Sequence, residues 1–579
     1  MNRERLDQGV MKRREVRMRG KVHSLIALLI VLMLGFLVAC SDGSSNSSET
    51  EGASNESGET ITNEPVTLTL INADGEEKDF DDPVAQKITE ATGVVLDIDY
   101  PVGGNEEAVP LMIASGDYPD LIFAKGDIGK LIEAGAVIKL DDLIEEKGDH
   151  LKAMYGDQLD RLRHSIEDPS IYTVGTYGVD SPVWEPSGTF QIQLDVLREL
   201  GYPEIHTLEE FEAALSEYVE KYPEIDGQKT IPLSLLGSDW RWLITVGDPA
   251  GTAAGLAGDG QWAVNDETGE ATYKFLLPEL KEYFKWLNGM NAKGLLDQES
   301  FTHTHDTYIS KLSSGRVLAV ADQNWNFGDA DMALVADGKE WRTYAPLPVT
   351  LGEQYIHQGI KNYGYTGGWG IAISSTSEHQ EKAFEFLDWM ASEEAQILVN
   401  WGIEGVNYDV VDGHRVMKEA DRRRMNTDSN YGKETGVGYY VYPFPQWGIG
   451  AVDSYGLPIT PNDEEQIIAN LNGAEKEVLS QYSMDNWTDW FPPAEELGVS
   501  NHGQAFSYNI EAGSDLEIIM TKADDLTEQR ITQAILGDPA DFDEAWDSML
   551  GELEAMDIKK ANDLMTQKVQ EIMELWGTK

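Results

Sequence analysis

"PVTLTLINADGEEKDFDDPVAQKITEATGVVLDIDY" (Pro65–Tyr100) is the stretch on which the fold turns. Val66, Leu68 and Leu70 alternate with threonines, the period of a strand with one buried face. Asp82 then stands as an N-cap before Pro83 at the first helical position, and Gly93 supplies the stop. "VVLDIDY" (Val94–Tyr100) reads as a second strand. Beyond it, "EEAVPLMIASG" (Glu106–Gly116) reads as a short helix ending at its glycine, and "DLIFA" (Asp120–Ala124) as a third strand. Strand, helix, strand, helix, strand implies a parallel α/β sheet, whose ligands sit off the carboxyl ends of the strands.

Ahead of this stretch lie eight basic residues between Arg3 and Lys21, followed by an apolar run from about Leu25 to Val38. The run is shorter than the roughly 20 residues of a spanning helix and ends in small residues, the layout of a secretory signal. The sequence Leu37-Val38-Ala39-Cys40 resembles the lipobox of bacterial lipoproteins, and Cys40 is the only cysteine of the chain. Residues 1–39 are therefore expected to be a lipoprotein signal peptide, with Cys40 the lipidated N-terminus of the mature chain. Residues 40–63, rich in Ser, Asn, Gly and Glu, are expected to form a flexible lipid-anchored tether. A single cysteine excludes an internal disulfide.

The whole chain carries a formal charge of −58, and the part after Cys40 has 36 basic against 99 acidic side chains, −63. Such a surface repels nucleic acid and anionic headgroups, so the expected membrane contact is the lipid alone. The roughly 515 residues after the tether exceed one hydrophobic core, and two lobes are the natural division. "QWAVNDETGEATYKF" reads as a hairpin turning at Asn265–Gly269, followed by helices over Pro278–Ala292 and about Asp306–Ser314 and the strand "RVLAVAD". Near the end, Phe542, Ala545, Trp546, Met549, Leu550 and Leu553 recur at spacings of 3 and 4, an amphipathic helix, with a second over "IKKANDLMTQKVQEIMELW".

The segment "VPLMIASGDYPDLIFAKGDIGKLIEAGAVIKLDDLIEEKG" (Val109–Gly148) resembles the N-terminal lobe of extracellular solute-binding proteins of sugar ABC transporters, the maltose-binding-protein type. Collinear matches continue through "TLEEFEAAL" (Thr207–Leu215), "WLNGMNAKGLLDQESF" (Trp286–Phe301), "SGRVLAVAD", "GGWGIAIS" and Glu381–Val410, and the ending is similar to the long lipoprotein branch of Gram-positive bacteria. One departure is that "IEDPSIYTVGTYG" stands where the family has a strand reading "DGK.YG.P". The resemblance implies a two-lobed periplasmic-binding-protein fold of type II, with a ligand cleft between α/β lobes joined by hinge crossovers. It places lobe 1 at about 64–180 plus 370–450 and lobe 2 at about 181–369 plus 451–579. It further implies a monomeric ABC-importer receptor on the outer face of the cytoplasmic membrane; no catalytic residue, cofactor or metal-ligating residue is expected, while a structural calcium or other ion stays open. The receptor is expected to hand an oligosaccharide of plant-polysaccharide origin to the permease. A same-fold receptor for a peptide or other solute, and a secreted glycoside-degrading enzyme, stay open as alternatives.

Sugar sites need aromatic faces for the apolar side of a ring, and carboxylates, amides and Arg or Lys for its hydroxyls. By analogy with the fold, the loops after strands one and three nominate Asn72, Asp74, Lys125 and Asp127. "SDWRWLI" offers Trp240, Arg241 and Trp242, and "DQNWNFGD" offers Trp325 between two asparagines. Trp184, Tyr363, Trp369 and Trp447 lie in Gly/Pro-rich surroundings and complete the candidate set, whereas Trp286, Trp389 and Trp546 sit on helical patterns and belong to cores. "HTHD" (His303–Asp306) lacks further ligands at a recognised metal spacing. No nucleophile elbow, HExxH or P-loop occurs.

Overall fold

The computed structural model describes residues 64–578, apart from 76, 180–182, 184–185, 187, 259, 366–368, 508–509 and 512. The signal peptide, Cys40 and the tether therefore lie outside the described residues.

The opening stretch folds as its sequence implies. Strands β1 (Val66–Asn72), β2 (Val94–Asp99) and β3 (Leu121–Phe123) are parallel, with β1 between the other two. The helix Pro83–Thr92 starts where the Asp82 carboxylate accepts the Val84 and Ala85 amides, at 2.8 and 2.9 Å. It stops at Gly93, whose φ of 67° suits a residue without Cβ. The next helix, Gly104–Ser115, ends at Gly116 in the same way.

Two strands from elsewhere complete this sheet, and neither is parallel to its neighbours. The chain continues through β4 (Thr173–Gly175) and leaves for a second sheet of β5 (Thr189–Gln193), β6 (Ile231–Ser234), β7 (Val317–Asp322) and β8 (Tyr344–Leu347). It then returns as β9 (Gly370–Ile373), which inserts antiparallel between β3 and β4. The first sheet therefore runs β2-β1-β3-β9-β4 and the second β8-β5-β7-β6. In the second, β6 and β7 are parallel and β5 is antiparallel to both β7 and β8.

Each sheet supports its own apolar core. One gathers Leu68, Leu70, Leu121, Phe123, Ile371 and Phe384 with Tyr440 and Phe444. The other gathers Phe190, Leu233, Ala319 and Leu347 with residues from Ala474 to Trp576. The terminal helices Asp515–Leu536, Phe542–Ala555 and Ile558–Leu575 join this second core. There the buried Asn288 amide donates to the carbonyls of Ala534, Ile535 and Gly537, satisfying the end of the first of these helices. The expected hairpin forms, with Trp262–Val264 antiparallel to Ala271–Tyr273. Among the described residues no helix is long and apolar enough to cross a membrane.

Candidate functional site

Polar and aromatic side chains collect at the carboxyl ends of the strands of both sheets. On the first sheet, Asn72 closes β1 and its side-chain oxygen accepts the Asp74 amide at 3.1 Å, fixing the turn that follows. Just beyond β3, Lys125 adopts φ 50°, and its Nζ donates to Asp74 Oδ1 at 2.8 Å. The other Asp74 oxygen accepts the Tyr442 hydroxyl at 2.9 Å. Lys125 Nζ also lies 5.1 Å from the centre of the Trp369 ring, and Trp369 meets Tyr177 at 6.3 Å. Burial, and then the Asp74 charge, push the Tyr177 hydroxyl up to about 12 and the Tyr442 hydroxyl well above the usual phenol range. Both therefore remain protonated donors near neutral pH.

On the second sheet, Trp240 follows β6, and Trp325 stands in the first turn of the helix Asn324–Ala336 that follows β7. These two rings are 61% and 60% exposed and lie parallel, 6.0 Å apart at 8°. The Arg241 guanidinium sits 4.6 Å above the centre of Trp240, with Nη1 on Asp239 Oδ2 at 2.8 Å and Nε on Asn326 Oδ1 at 2.9 Å. Asn326 in turn donates to both oxygens of the buried Asp322, at 3.0 and 2.9 Å, which also accepts the Tyr308 hydroxyl at 2.8 Å. Asp322 is thus the root of a rigid chain of hydrogen bonds that ends under an exposed aromatic face. Its own burial pushes the carboxyl up to about 6, against the pull of those hydrogen bonds.

Other nominated residues are placed differently. Asp127 is occupied by Asn105 and Lys130, both at 2.8 Å. Trp242 is a core residue: it is 4% exposed, and its indole N–H is spent on Thr532 of the helix Asp515–Leu536. The expected Trp240/Trp242 pair is therefore not formed: the helix Asp515–Leu536 covers Trp242, and the exposed Trp240 stacks on Trp325 instead. Trp447 packs against the first core, with its indole N–H on the Ala391 carbonyl at 2.9 Å. The Tyr363 hydroxyl accepts the Gly258 amide, and Trp184 lies outside the described residues. His303 is buried with Nε2 2.7 Å from the Leu235 carbonyl, and His305 Nε2 is 3.0 Å from the Asn326 carbonyl. Among the described residues no three His, Cys, Asp or Glu side chains come together to hold a metal. The sequence reading overlooked Tyr177, Tyr442 and Asp239, whereas Asn326 is one of the two asparagines it noted beside Trp325. For Tyr442 a signal was present in the aromatic, proline-bearing run "YYVYPFPQW" (Tyr439–Trp447).

The arrangement offers flat apolar faces, each with fixed donors and acceptors beside it, which is the chemistry of holding a polyhydroxylated ring. Among known proteins, the fructooligosaccharide ABC transporter substrate-binding protein FusA of Streptococcus pneumoniae serotype 4 is 24% identical over 419 residues, covering 67% of this chain and 72% of FusA. Lipoprotein LipO of Bacillus subtilis is 22% identical over 346 residues, covering 57% and 65%. The fold matches that of FusA in complex with kestose at a TM-score of 0.61, with 19% identity over 87% of this chain and 99% of that one. It also matches an extracellular solute-binding protein of Bifidobacterium longum subsp. infantis at 0.63, with 17% identity over 88% and 98%. Such neighbours are type II solute-binding proteins, and this chain shares their fold. With residues 84–419 matching the model of the bacterial extracellular solute-binding proteins, this chain belongs to that family.

Proposed function

We propose that the protein is the substrate-binding lipoprotein of an ABC importer, which captures an oligosaccharide between its two lobes and delivers it to a membrane permease. Lobe 1 is taken as residues 64–180 with 370–450, and lobe 2 as 181–369 with 451–579. The lipid on Cys40 tethers the monomer to the outer face of the cytoplasmic membrane, and the ligand derives from a plant polysaccharide. The observation that carries the reading is the exposed parallel pair Trp240–Trp325, flanked by Arg241, Asp239 and Asn326. A contiguous exposed aromatic patch rimmed by polar groups marks a place where a ligand binds. The Asp74–Lys125–Tyr442 group beside Trp369 supports a second polar and aromatic surface at the ends of β1 and β3. Hinge closure over the ligand is the signal that a permease reads in this fold.

A thermal-shift panel tests the reading. An oligosaccharide present at about 100 times its Kd adds about 2.7 kcal/mol of stability. Neutral oligosaccharides are expected to raise Tm and peptides to leave it unchanged. Stabilisation by peptides alone would transfer the site to the alternative receptor. Turnover of the same oligosaccharides at enzymatic rates would replace binding with hydrolysis.

A further inference from the structure

Resting on that reading, we propose that the site selects uncharged oligosaccharides and rejects uronate-containing ones, because the cations that line it are already neutralised by the protein's own carboxylates. Among the described residues, Lys125 stands over the Trp369 ring and Arg241 over the Trp240 ring. Lys125 Nζ is held at 2.8 Å by Asp74, and that carboxylate is itself held from its other oxygen by Tyr442, so it cannot swing aside without losing a second bond. Arg241 is clamped by Asp239 through Nη1 at 2.8 Å and through its own backbone amide at 2.9 Å, while Asn326 occupies Nε.

A site built for a carboxylated sugar would present a guanidinium or ammonium ready for charge-assisted pairing. Here an approaching uronate meets a carboxylate within a few Å of both Lys125 and Arg241, on a chain of formal charge −58. A neutral hydroxyl suffers no such penalty. Each carboxylate–cation pair offers it an acceptor and a donor side by side, which suits a group that both donates and accepts.

Calorimetric titration of the full-length mature protein, in salt of about 150 mM, compares neutral trisaccharides of fructose, glucose, xylose and mannose with trimers of galacturonate and mannuronate. The parent is expected to bind at least one neutral trimer roughly 100-fold more tightly than either uronate trimer. Asp74→Asn and Asp239→Asn keep shape but release one cation each, and each is expected to narrow that gap roughly tenfold by strengthening uronate binding. Two variants on different sheets guard against one failing to fold, which a urea melt reports. A uronate trimer that binds the parent as tightly as the best neutral one overturns the proposal. So does a gap that stays unchanged in both folded variants, since the pairs would then not set selectivity. Failure of every trimer to bind the parent would instead remove the oligosaccharide reading itself, and this inference with it.

Discussion

Removal of the Trp325 ring is expected to weaken oligosaccharide binding about 30-fold while leaving the protein folded. Trp325 is 60% exposed, and its neighbour across the stack is Trp240. A tryptophan side chain carries roughly 250 Å² of surface, so about 100 Å² is covered by protein and about 150 Å² is open. A sugar ring laid on one face covers roughly half of the open part, about 75 Å², worth about 2 kcal/mol at about 25 cal/mol per Å². The protein-covered part sets the upper limit of the folding cost of Trp325→Ala at about 2.5 kcal/mol. Trp546 is the contrasting case: it is 2% exposed between Phe284 and Phe542, with ring centres at 5.8 and 6.2 Å. Trp546→Ala is expected to cost the fold about 3 to 5 kcal/mol and to leave the affinity of the surviving folded protein unchanged. Calorimetric titration with the tightest neutral trisaccharide, and a urea melt of each variant, separate the two behaviours. If Trp325→Ala binds like the parent, the stacked pair is not a sugar surface, and the site reduces to the group around Trp369.

The raised pKa of Asp322, about 6 against an ordinary 3.8, means that the folded state holds an extra proton between those values. The stability from this group is present at low pH and lost as pH rises through about 6. Asp322→Asn removes that titration, so the variant should gain about 2 to 3 kcal/mol relative to the parent between pH 4 and pH 7.5; urea melts showing a constant difference would refute it. Lys125 and Asp74 are 25% and 39% exposed as side chains, so Lys125→Ala should cost the fold less than about 1 kcal/mol. The same variant should weaken ligand binding roughly tenfold, and an unchanged Kd by titration would place this pair outside the site. Cys40→Ala is expected to leave the protein unlipidated and released from the membrane fraction; a variant that still carries lipid would refute the lipobox reading.

The helix Pro83–Thr92, the hairpin at Asn265–Gly269 and the terminal helices were legible in the sequence, because a cap, a turn and an apolar period are short-range signals. The collinear motifs carried the family for the same reason, each being local and in order. The insertion of β9 between β3 and β4 was not legible, since nothing in "GGWGIAIS" states which distant strands it will pair with. The same limit governs the site. Asp74 and Lys125 were each nominated from their own loops, but only the adjacency of β1 and β3 brings them within 2.8 Å. Trp240 and Trp242 are nearly neighbours in sequence and equal in chemistry. Their fates diverge because a helix contributed from far along the chain covers Trp242 and leaves Trp240 open beside Trp325. Local sequence determines what a segment becomes, whereas burial and pairing depend on which segments meet, and that is decided by packing over the whole chain.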